Sequence, residues 1–248
     1  MMTGDKILAA ITEDLTELGL NEMSTALESL YRSPRFLEMD HLTMLAALIE
    51  PEYTTMISRR LNNRLKNAHL QGCPESLDEC RDSTVREYLP NGITEVLSTL
   101  NFVRDGQNVC ILGASDAGKT YLAKAIAIAA CRDYRVLYSH CEPLLEELTA
   151  LKTSNYPSYQ KRLKSLKKLD LVVLDDFLIH TLTDEREVKV LFELMECRSE
   201  LQRSTVVCSQ REPSAWTAMI MNDEVSANAI MKRATKHYTV VVNLRKSS

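Results

Sequence analysis

The residues best suited to chemistry form one short segment, residues 113–120, with the sequence Gly-Ala-Ser-Asp-Ala-Gly-Lys-Thr. It fits the pattern G-x-x-x-x-G-K-[ST], whose backbone N–H groups cradle phosphates. A strand-like run, 108–112, precedes it, and a helix-like run, 121–130, follows it, so a helix dipole adds to the attraction for phosphate. Lys119 is predicted to reach the β- and γ-phosphates and the Thr120 hydroxyl to ligate Mg²⁺. The predicted nucleotide-binding residues are Gly113, Ala114, Ser115, Asp116, Ala117, Gly118, Lys119, Thr120 and Tyr121.

Two carboxylates follow an apolar strand candidate at 170–175. Ligands of parallel sheets bind at the carboxyl ends of strands, which is where Asp175 and Asp176 would emerge. Asp175 is predicted to hold Mg²⁺ directly or through water, and Asp176 to orient or polarise the attacking water. A strand followed by an acidic turn is the alternative. This alternative is disfavoured because the two carboxylates follow the phosphate loop after one intervening strand–helix unit, as expected of a nucleotide site.

Two further candidates lie later in the chain. Gln210 ends the next strand candidate, where a polar tip could touch the γ-phosphate or its water, and an ordinary strand exit explains it equally well. Arg233, on a predicted helix, could stabilise charge on a transferring phosphoryl group, often across a subunit boundary. Its position alone favours a solvated arginine on a helix face.

The elements that must position these residues alternate between strands and helices. Such alternation predicts an α/β fold in which helices cover both faces of a parallel sheet. The strand candidates are 108–112, 135–139, 170–175, 204–209 and 238–243. The helix candidates are 119–132, 142–151, 158–168, 184–201 and 225–236.

The first ~70 residues have helical periodicity instead. Gly19 is a plausible C-terminal cap, and Pro51 predicts a kink or a fresh start within 40–70. A turn-rich segment, 71–74, suggests the boundary. We therefore expect a helical domain at 1–72, a connector at 73–105 that ends in a short helix at 93–103, and the nucleotide-binding domain at 106–248.

Composition narrows the class of protein. The 248 residues are 45% hydrophobic and carry a formal net charge of −4, which excludes a protein coated with positive charge. No apolar run approaches the ~18 residues of a membrane span. The N-terminus has no signal-peptide core, and the 7 cysteines are scattered. We expect a cytoplasmic protein with free thiols and no membrane partner.

Local basic faces remain possible within that net charge. Two stretches, 53–74 and 148–169, are basic and contain no acidic residue, and Tyr156 and Tyr159 in the second could stack on unpaired bases. By themselves, such runs are more often solvated helix faces. The candidate DNA-binding residues are Arg59, Arg60, Arg64, Lys66, Lys161, Arg162, Lys164, Lys167 and Lys168. Without a zinc-finger or helix-turn-helix pattern, DNA shape is the expected target.

These motifs together resemble the IstB-like and DnaC-like ATPases, a branch of the AAA+ proteins, over nearly the whole chain. The spacing of Ser209-Gln210 to Trp216 and the missing C-terminal lid point to the IstB branch. Trp216 is interpreted as a packing residue. The remaining motifs that carry the resemblance are Tyr121-Leu122-Ala123, Ala130-Cys131-Arg132, Leu174-Asp175-Asp176-Phe177 and the terminal helix around Arg233.

The resemblance implies a P-loop NTPase domain of AAA+ type with a five-stranded parallel sheet in the order 5-1-4-3-2. It implies ATP and Mg²⁺ as cofactors, homo-oligomers in the presence of ATP, binding to duplex DNA without sequence specificity, and delivery of a transposase to target DNA. Gln210 would be the first sensor and Arg233 the arginine finger, although Lys232 stands where the family commonly has Asp.

Other functions stay open. A loader of a replicative helicase shares the ATPase core and favours single strands. The N-terminal helices without zinc-binding cysteines favour the transposition helper. A nucleotide-gated DNA-binding scaffold with little hydrolysis is a third hypothesis, motivated by Asp116 and Asp176. An unrelated P-loop kinase or transferase is disfavoured because no acceptor-pocket motif is present.

Asp116 stands where the family most often has glycine. Aspartate tolerates left-handed backbone angles, so the turn can still form. One like-charge pair at ~5 Å and an effective dielectric of ~20 costs ~3 kcal/mol, about a hundredfold in affinity. Outward rotation or a lysine such as Lys124 could offset this cost. We expect weaker ATP binding or slower turnover than in a glycine-bearing relative.

Overall fold

The computed structural model describes residues 4–245, so the ends of the predicted domains 1–72 and 106–248 lie outside the described residues. The chain divides into two compact units, one up to Asn63 and the other from Arg64 onward. The division falls within a long helix and precedes the turn at 71–74.

The first unit is helical, as its periodicity predicts. It contains α1 (Gly4–Glu17), α2 (Asn21–Tyr31), a 3₁₀ turn (Pro34–Leu37) and most of α3 (His41–Asn67). Gly19 follows α1 with φ +77°, the left-handed conformation expected of a C-terminal cap. Of the kink or fresh start expected at Pro51, the fresh start was wrong, because α3 runs through Pro51 as one helix. Loss of one backbone donor is tolerated within a helix of 27 residues.

The second unit is built on a six-stranded sheet with the order β1-β6-β2-β5-β4-β3. Its five parallel strands follow the expected order 5-1-4-3-2. The strands are β1 (Arg86–Leu89), β2 (Val109–Leu112), β3 (Val136–His140), β4 (Leu171–Asp175), β5 (Ser204–Ser209) and β6 (Tyr238–Leu244).

The sheet has one strand more than the five that the sequence predicts. β1 comes from the predicted connector 73–105 and pairs antiparallel with β6, with Arg86 opposite Leu244 and Leu89 opposite Val241. An edge strand of 4 residues, Arg-Glu-Tyr-Leu, is too short and too polar to show a period along the chain. The connector is therefore part of the sheet unit.

Helices cover both faces of this sheet. All residues of β2 and β4 are buried, the pattern of strands packed on both sides. The single helix predicted at 93–103 is divided in two at Leu100, which has φ +55°. The helices of this unit are α4 (Ile93–Ser98), α5 (Asn101–Arg104), α6 (Lys119–Ala130), α7 (Cys141–Ser154), α8 (Tyr156–Lys167), α9 (Glu185–Glu200), α10 (Trp216–Met219) and α11 (Glu224–Ala234).

Packing at the carboxyl edge of the sheet depends on aromatic contacts. Trp216 is fully buried and packs edge-to-face on Phe177 with ring centroids 5.0 Å apart. It is thus the packing residue that the sequence predicted. The 7 cysteines are free thiols, also as predicted. Among residues 4–245, no helix combines the length and apolar character that crossing a membrane requires.

Candidate nucleotide-binding site

The phosphate-loop candidate lies between β2 and α6, as its flanks predict. Gly113 has φ +155°, and a Cβ there would meet the Val242 carbonyl oxygen at 2.4 Å, so only glycine lets the loop pass β6 this closely. Gly118 is the N-cap of α6 with φ +108°. Asp116 adopts φ +60°, the left-handed conformation that aspartate tolerates. The loop therefore forms despite the unusual fourth residue.

Lys119 points into this loop. Its side chain is buried, and Nζ donates a hydrogen bond to the Ala114 carbonyl oxygen at 2.7 Å. A buried ammonium needs an anionic or hydrogen-bonding partner, and here the loop supplies a carbonyl. The charge is thus held where the loop would receive a phosphate group.

Three separated segments meet at a cavity of about 360 Å³ over this loop. They are the loop itself, the turn after β4 and the tip of β5. They meet because β2, β5 and β4 are neighbours in the sheet and end at the same edge. The lining residues are Ser115, Asp116, Gly118, Lys119, Thr120, Asp176 and Gln210.

Asp175 is the last residue of β4 and is almost completely buried. Its Oδ2 accepts a hydrogen bond from Tyr138 Oη at 2.6 Å, and its Oδ1 accepts one from the Asp176 N–H at 3.0 Å. Burial raises the pKa of Tyr138, and the hydrogen bond to Asp175 raises it further, so the phenol stays a donor. Sequence reasoning missed Tyr138, because β3 and β4 become neighbours only in the sheet.

Tyr138→Phe should lower the free energy of unfolding by about 1–3 kcal/mol, because it leaves a buried carboxylate oxygen without its donor. Urea denaturation of the ligand-free protein measures this change. Tyr134→Phe is the matched control, since residues 4–245 give the Tyr134 hydroxyl no hydrogen-bond partner. Equal stability of the two variants would remove the hydrogen bond from the support of Asp175.

Asp176 occupies the turn after β4 with φ +51°. Its Oδ2 lies 3.0 Å from Nδ1 of His140, the last residue of β3. The Asp176 side chain is 36% exposed and that of His140 is 54% exposed, so both are open to solvent, and Asp176 lines the cavity. His140 is a second neighbour that the sequence did not reveal, and it fixes the direction of the Asp176 carboxylate.

The two remaining catalytic candidates differ in position. Gln210 is exposed and lines the cavity with Asp176. Arg233 lies on α11, where it forms an ion pair with Glu196 of α9 and donates to the Ala229 carbonyl oxygen at 2.8 Å. In this chain, Arg233 is thus directed at α9 and does not line the cavity. Its role in a neighbouring subunit remains a prediction.

Asp116 is exposed, and its closest polar contact is Ser115 Oγ at 3.4 Å. Lys124, which could have offset its charge, pairs instead with Glu75 at 3.4 Å and lies over the Tyr138 ring. The expectation that Lys124 offsets the charge of Asp116 was therefore wrong, because the Lys124 ammonium pairs with Glu75. The Asp116 carboxylate lines the cavity over the loop, and Lys124 does not neutralise its charge.

Asp116→Gly should tighten ATP binding by about tenfold or more, because it removes a negative charge beside the polyphosphate. Solvent screening at this exposed site makes the expected gain smaller than the roughly hundredfold gain of an unscreened pair. Isothermal titration measures the change. Asp116→Asn is the matched variant, since asparagine keeps the left-handed preference and loses the charge. An unchanged Kd in both variants would reject the hypothesis, whereas a gain in glycine alone would assign the effect to the backbone.

The second basic stretch covers the end of α7, the whole of α8 and its C-cap, and its candidate DNA-binding residues lie on α8 and this cap. Lys161, Lys164 and Lys168 are exposed, and their spacing of three and four places them on one helix face. Within residues 4–245, none of the three forms an ion pair. Arg162 pairs with Glu147 at 2.8 Å. Lys167 is half-buried.

The tyrosines of this stretch have separate environments. Tyr159 is fully buried and donates a hydrogen bond to Glu193 at 2.7 Å. Base stacking by Tyr159 was therefore a wrong expectation, since its ring belongs to the packing between α8 and α9. Tyr156 is 57% exposed and stays available.

The first basic stretch lies on α3. Arg59 and Arg60 are exposed in the first unit, and Lys66 is exposed in the second. Arg64 is half-buried, and its guanidinium donates to the carbonyl oxygens of Cys131 and Arg132, at the C-terminal end of α6. Such a contact satisfies terminal carbonyls and complements the helix dipole. Arg64 thus has a structural partner, and Arg59 forms an ion pair with Glu22 at 3.9 Å. Arg60 and Lys66 are exposed.

Comparison with known proteins agrees with this geometry. The insertion sequence ATP-binding protein y4uH of Sinorhizobium fredii is 33% identical over 220 residues, 88% of this chain and 86% of that protein. The IS1162 ATP-binding protein of Pseudomonas fluorescens is 31% identical, over 82% and 87% of the two chains. The IS21 ATP-binding protein of Pseudomonas aeruginosa is 27% identical, over 92% and 83%.

Two solved structures share this fold. The DnaC helicase loader superposes with a TM-score of 0.54 at 18% identity, over 69% of this chain and 98% of that one. The replication initiator DnaA bound to AMPPCP and single-stranded DNA gives 0.56 at 19% identity, over 70% and 51%. The chain thus spans about half the length of that initiator, and the likeness establishes an AAA+ type P-loop fold. The model of the family described as IstB-like ATP binding protein matches residues 13–248, and the chain belongs to this family.

Proposed function

We propose that the protein is an ATPase that assists transposition: it binds ATP with Mg²⁺, assembles on duplex DNA and recruits a transposase. The observation that carries the proposal is the convergence of the 113–120 loop, Asp176 and Gln210 on one cavity. The relatives named as ATP-binding proteins of insertion sequences support the biological setting.

The donor set fits ATP and Mg²⁺. Thr120 and Asp175 offer oxygen ligands, which Mg²⁺ prefers. Both oxygens of Asp175 already accept hydrogen bonds, which favours contact through metal-bound water. Bound Mg²⁺ would neutralise charge on the β- and γ-phosphates. Lys119 adds a buried positive charge at the same place.

Hydrolysis requires a positioned water. Asp176 is exposed enough to accept a proton from that water or orient it, and His140 holds its carboxylate. Gln210 would contact the γ-phosphate or the water from the tip of the neighbouring strand β5. Arg233 would act from a neighbouring subunit after leaving Glu196, which makes turnover dependent on assembly.

DNA contact is assigned to the exposed lysine face of α8 and to exposed basic residues of α3. Lysine contacts to phosphate provide affinity without reading sequence. An ATP-dependent oligomer would present each face repeatedly along the duplex. The helical first unit is then the surface left for the transposase.

A direct experiment measures phosphate release by the purified protein with and without duplex DNA, and DNA binding with and without ATP. The proposal expects DNA binding that depends on ATP, and turnover of ATP. Co-purification from the native host then tests the partner: an integrase-type transposase supports transposition, and a replicative helicase supports the loader. Protein that ignores ATP would overturn the assignment.

A scaffold with little hydrolysis is the second candidate, favoured by two observations. Asp116 places a carboxylate at the phosphate cavity, and the candidate base is an aspartate already engaged by His140. ATP would then gate assembly without rapid turnover. ATP-dependent DNA binding without phosphate release, even with DNA present, would favour this function over the ATPase.

A further inference from the structure

An arginine outside every sequence motif packs on the phosphate loop. Arg86 belongs to the edge strand β1, and a Cβ added to Gly118 would lie 2.6 Å from its Cζ and 2.7 Å from its Nε. The guanidinium therefore fills the space that the glycine leaves open, directly against the backbone of the residue before Lys119.

This guanidinium lacks full hydrogen bonding. Arg86 Nε is buried and has no hydrogen-bond partner, and within residues 4–245 Arg86 forms no ion pair. The neighbouring Glu87 pairs with Arg245 instead, at 3.5 Å. Successive side chains of a strand point to opposite faces, so Glu87 is directed away from Arg86. A buried donor without an acceptor is costly, and a ligand that supplied the acceptor would remove that cost.

Two polar contacts connect the segment that precedes Arg86 to the loop helix α6. The Ser76 N–H donates to Tyr121 Oη at 3.4 Å, and Glu75 pairs with Lys124 at 3.4 Å. Pairing of β1 with β6 fixes the other side of the segment. Arg86 is thus positioned by a strand and a helix, which is the support that a binding residue needs.

We propose that Arg86 is a further nucleotide-binding residue, whose guanidinium donates hydrogen bonds to a phosphate group of the nucleotide held by the loop. The inference rests on the proposed ATP binding. The loop cradles phosphates with its backbone N–H groups, so a phosphate bound there comes close to Gly118 and the guanidinium packed on it. The planar fork of arginine matches phosphate oxygens and supplies the acceptor that Nε lacks.

Isothermal titration of Arg86→Ala, Arg86→Lys and Arg81→Ala with ATP and with inorganic tripolyphosphate tests the assignment. We expect Arg86→Ala to weaken both ligands by about tenfold, the size of a lost charged hydrogen bond. Arg86→Lys keeps the charge without the fork and should lose less. Arg81 is exposed in the same segment, so Arg81→Ala should bind both ligands as the wild type does.

Melting temperatures without and with ATP separate binding from folding. Arg86→Ala should lose most of the ATP-induced rise in Tm, whereas a purely structural role predicts a lower Tm with an unchanged rise, which overturns the proposal. Loss of ATP but not of tripolyphosphate affinity moves the contact to ribose or base and also overturns it. If Arg86→Ala does not fold, the same titrations and melting temperatures are measured on Arg86→Lys and Arg86→Gln, and these two variants test the proposal. Wild-type protein that binds no ATP contradicts the proposed function itself.

Discussion

Asp176→Asn should reduce ATP turnover by about 10²–10⁴-fold, the contribution of a positioned proton acceptor, while ATP binding stays close to that of the wild type. Asparagine keeps the size of the side chain and tolerates the left-handed φ of +51°. It cannot accept the proton of the attacking water. Phosphate release in the presence of DNA measures turnover, and titration with ATP measures binding.

Asp184→Asn is the matched control, because the half-buried Asp184 caps α9, pairs with Arg186 and does not line the cavity. Asparagine also caps helices, so turnover should not change. His140→Ala should give an intermediate loss that does not add to that of Asp176→Asn, since both act through one carboxylate. Wild-type turnover in Asp176→Asn would remove Asp176 from the mechanism and favour the scaffold.

Sequence patterns were sufficient to locate the parallel strands, whereas their order was implied by the family resemblance. Apolar runs such as 108–112 and 170–175 are long enough to identify as buried strands, and each is followed by a polar turn. β1 was not predicted, because the segment Arg86–Leu89 has no apolar periodicity and forms a strand only by pairing with β6. A short edge strand is defined by its partner, which no local signal encodes.

In the candidate site, residues within one motif were predicted, and residues brought in by strand pairing were missed. Residues within one motif, such as Lys119 and Thr120, were predicted because the loop chemistry fixes their spacing. Tyr138 and His140 were missed because they reach Asp175 and Asp176 through the register of β3 on β4. Arg86 was missed because its contact with Gly118 depends on β1. Side chains that act across strands become visible only with the sheet.

Reversing the charge of Lys161, Lys164 and Lys168 to Glu should lower the affinity for duplex DNA by about a hundredfold or more at moderate salt. All three are exposed on one face of α8, so each can contact phosphate without disturbing the core. Arg162 and Lys167 stay unchanged, because Arg162 pairs with Glu147 and Lys167 is half-buried. Binding is measured with ATP present, and ATP affinity is measured separately.

The salt dependence distinguishes contact from a change of net charge. Each phosphate contact contributes about 0.9 to the slope of log K against log salt, so losing this face should flatten the slope by several times that value in an oligomer. Lys189, Lys232 and Lys236 are exposed lysines outside α8, and changing these three to Glu alters the net charge equally. If both triple variants lose affinity alike, with parallel slopes, the effect is general repulsion and the face does not touch DNA. A loss confined to α8, with ATP binding intact, requires phosphates against that helix.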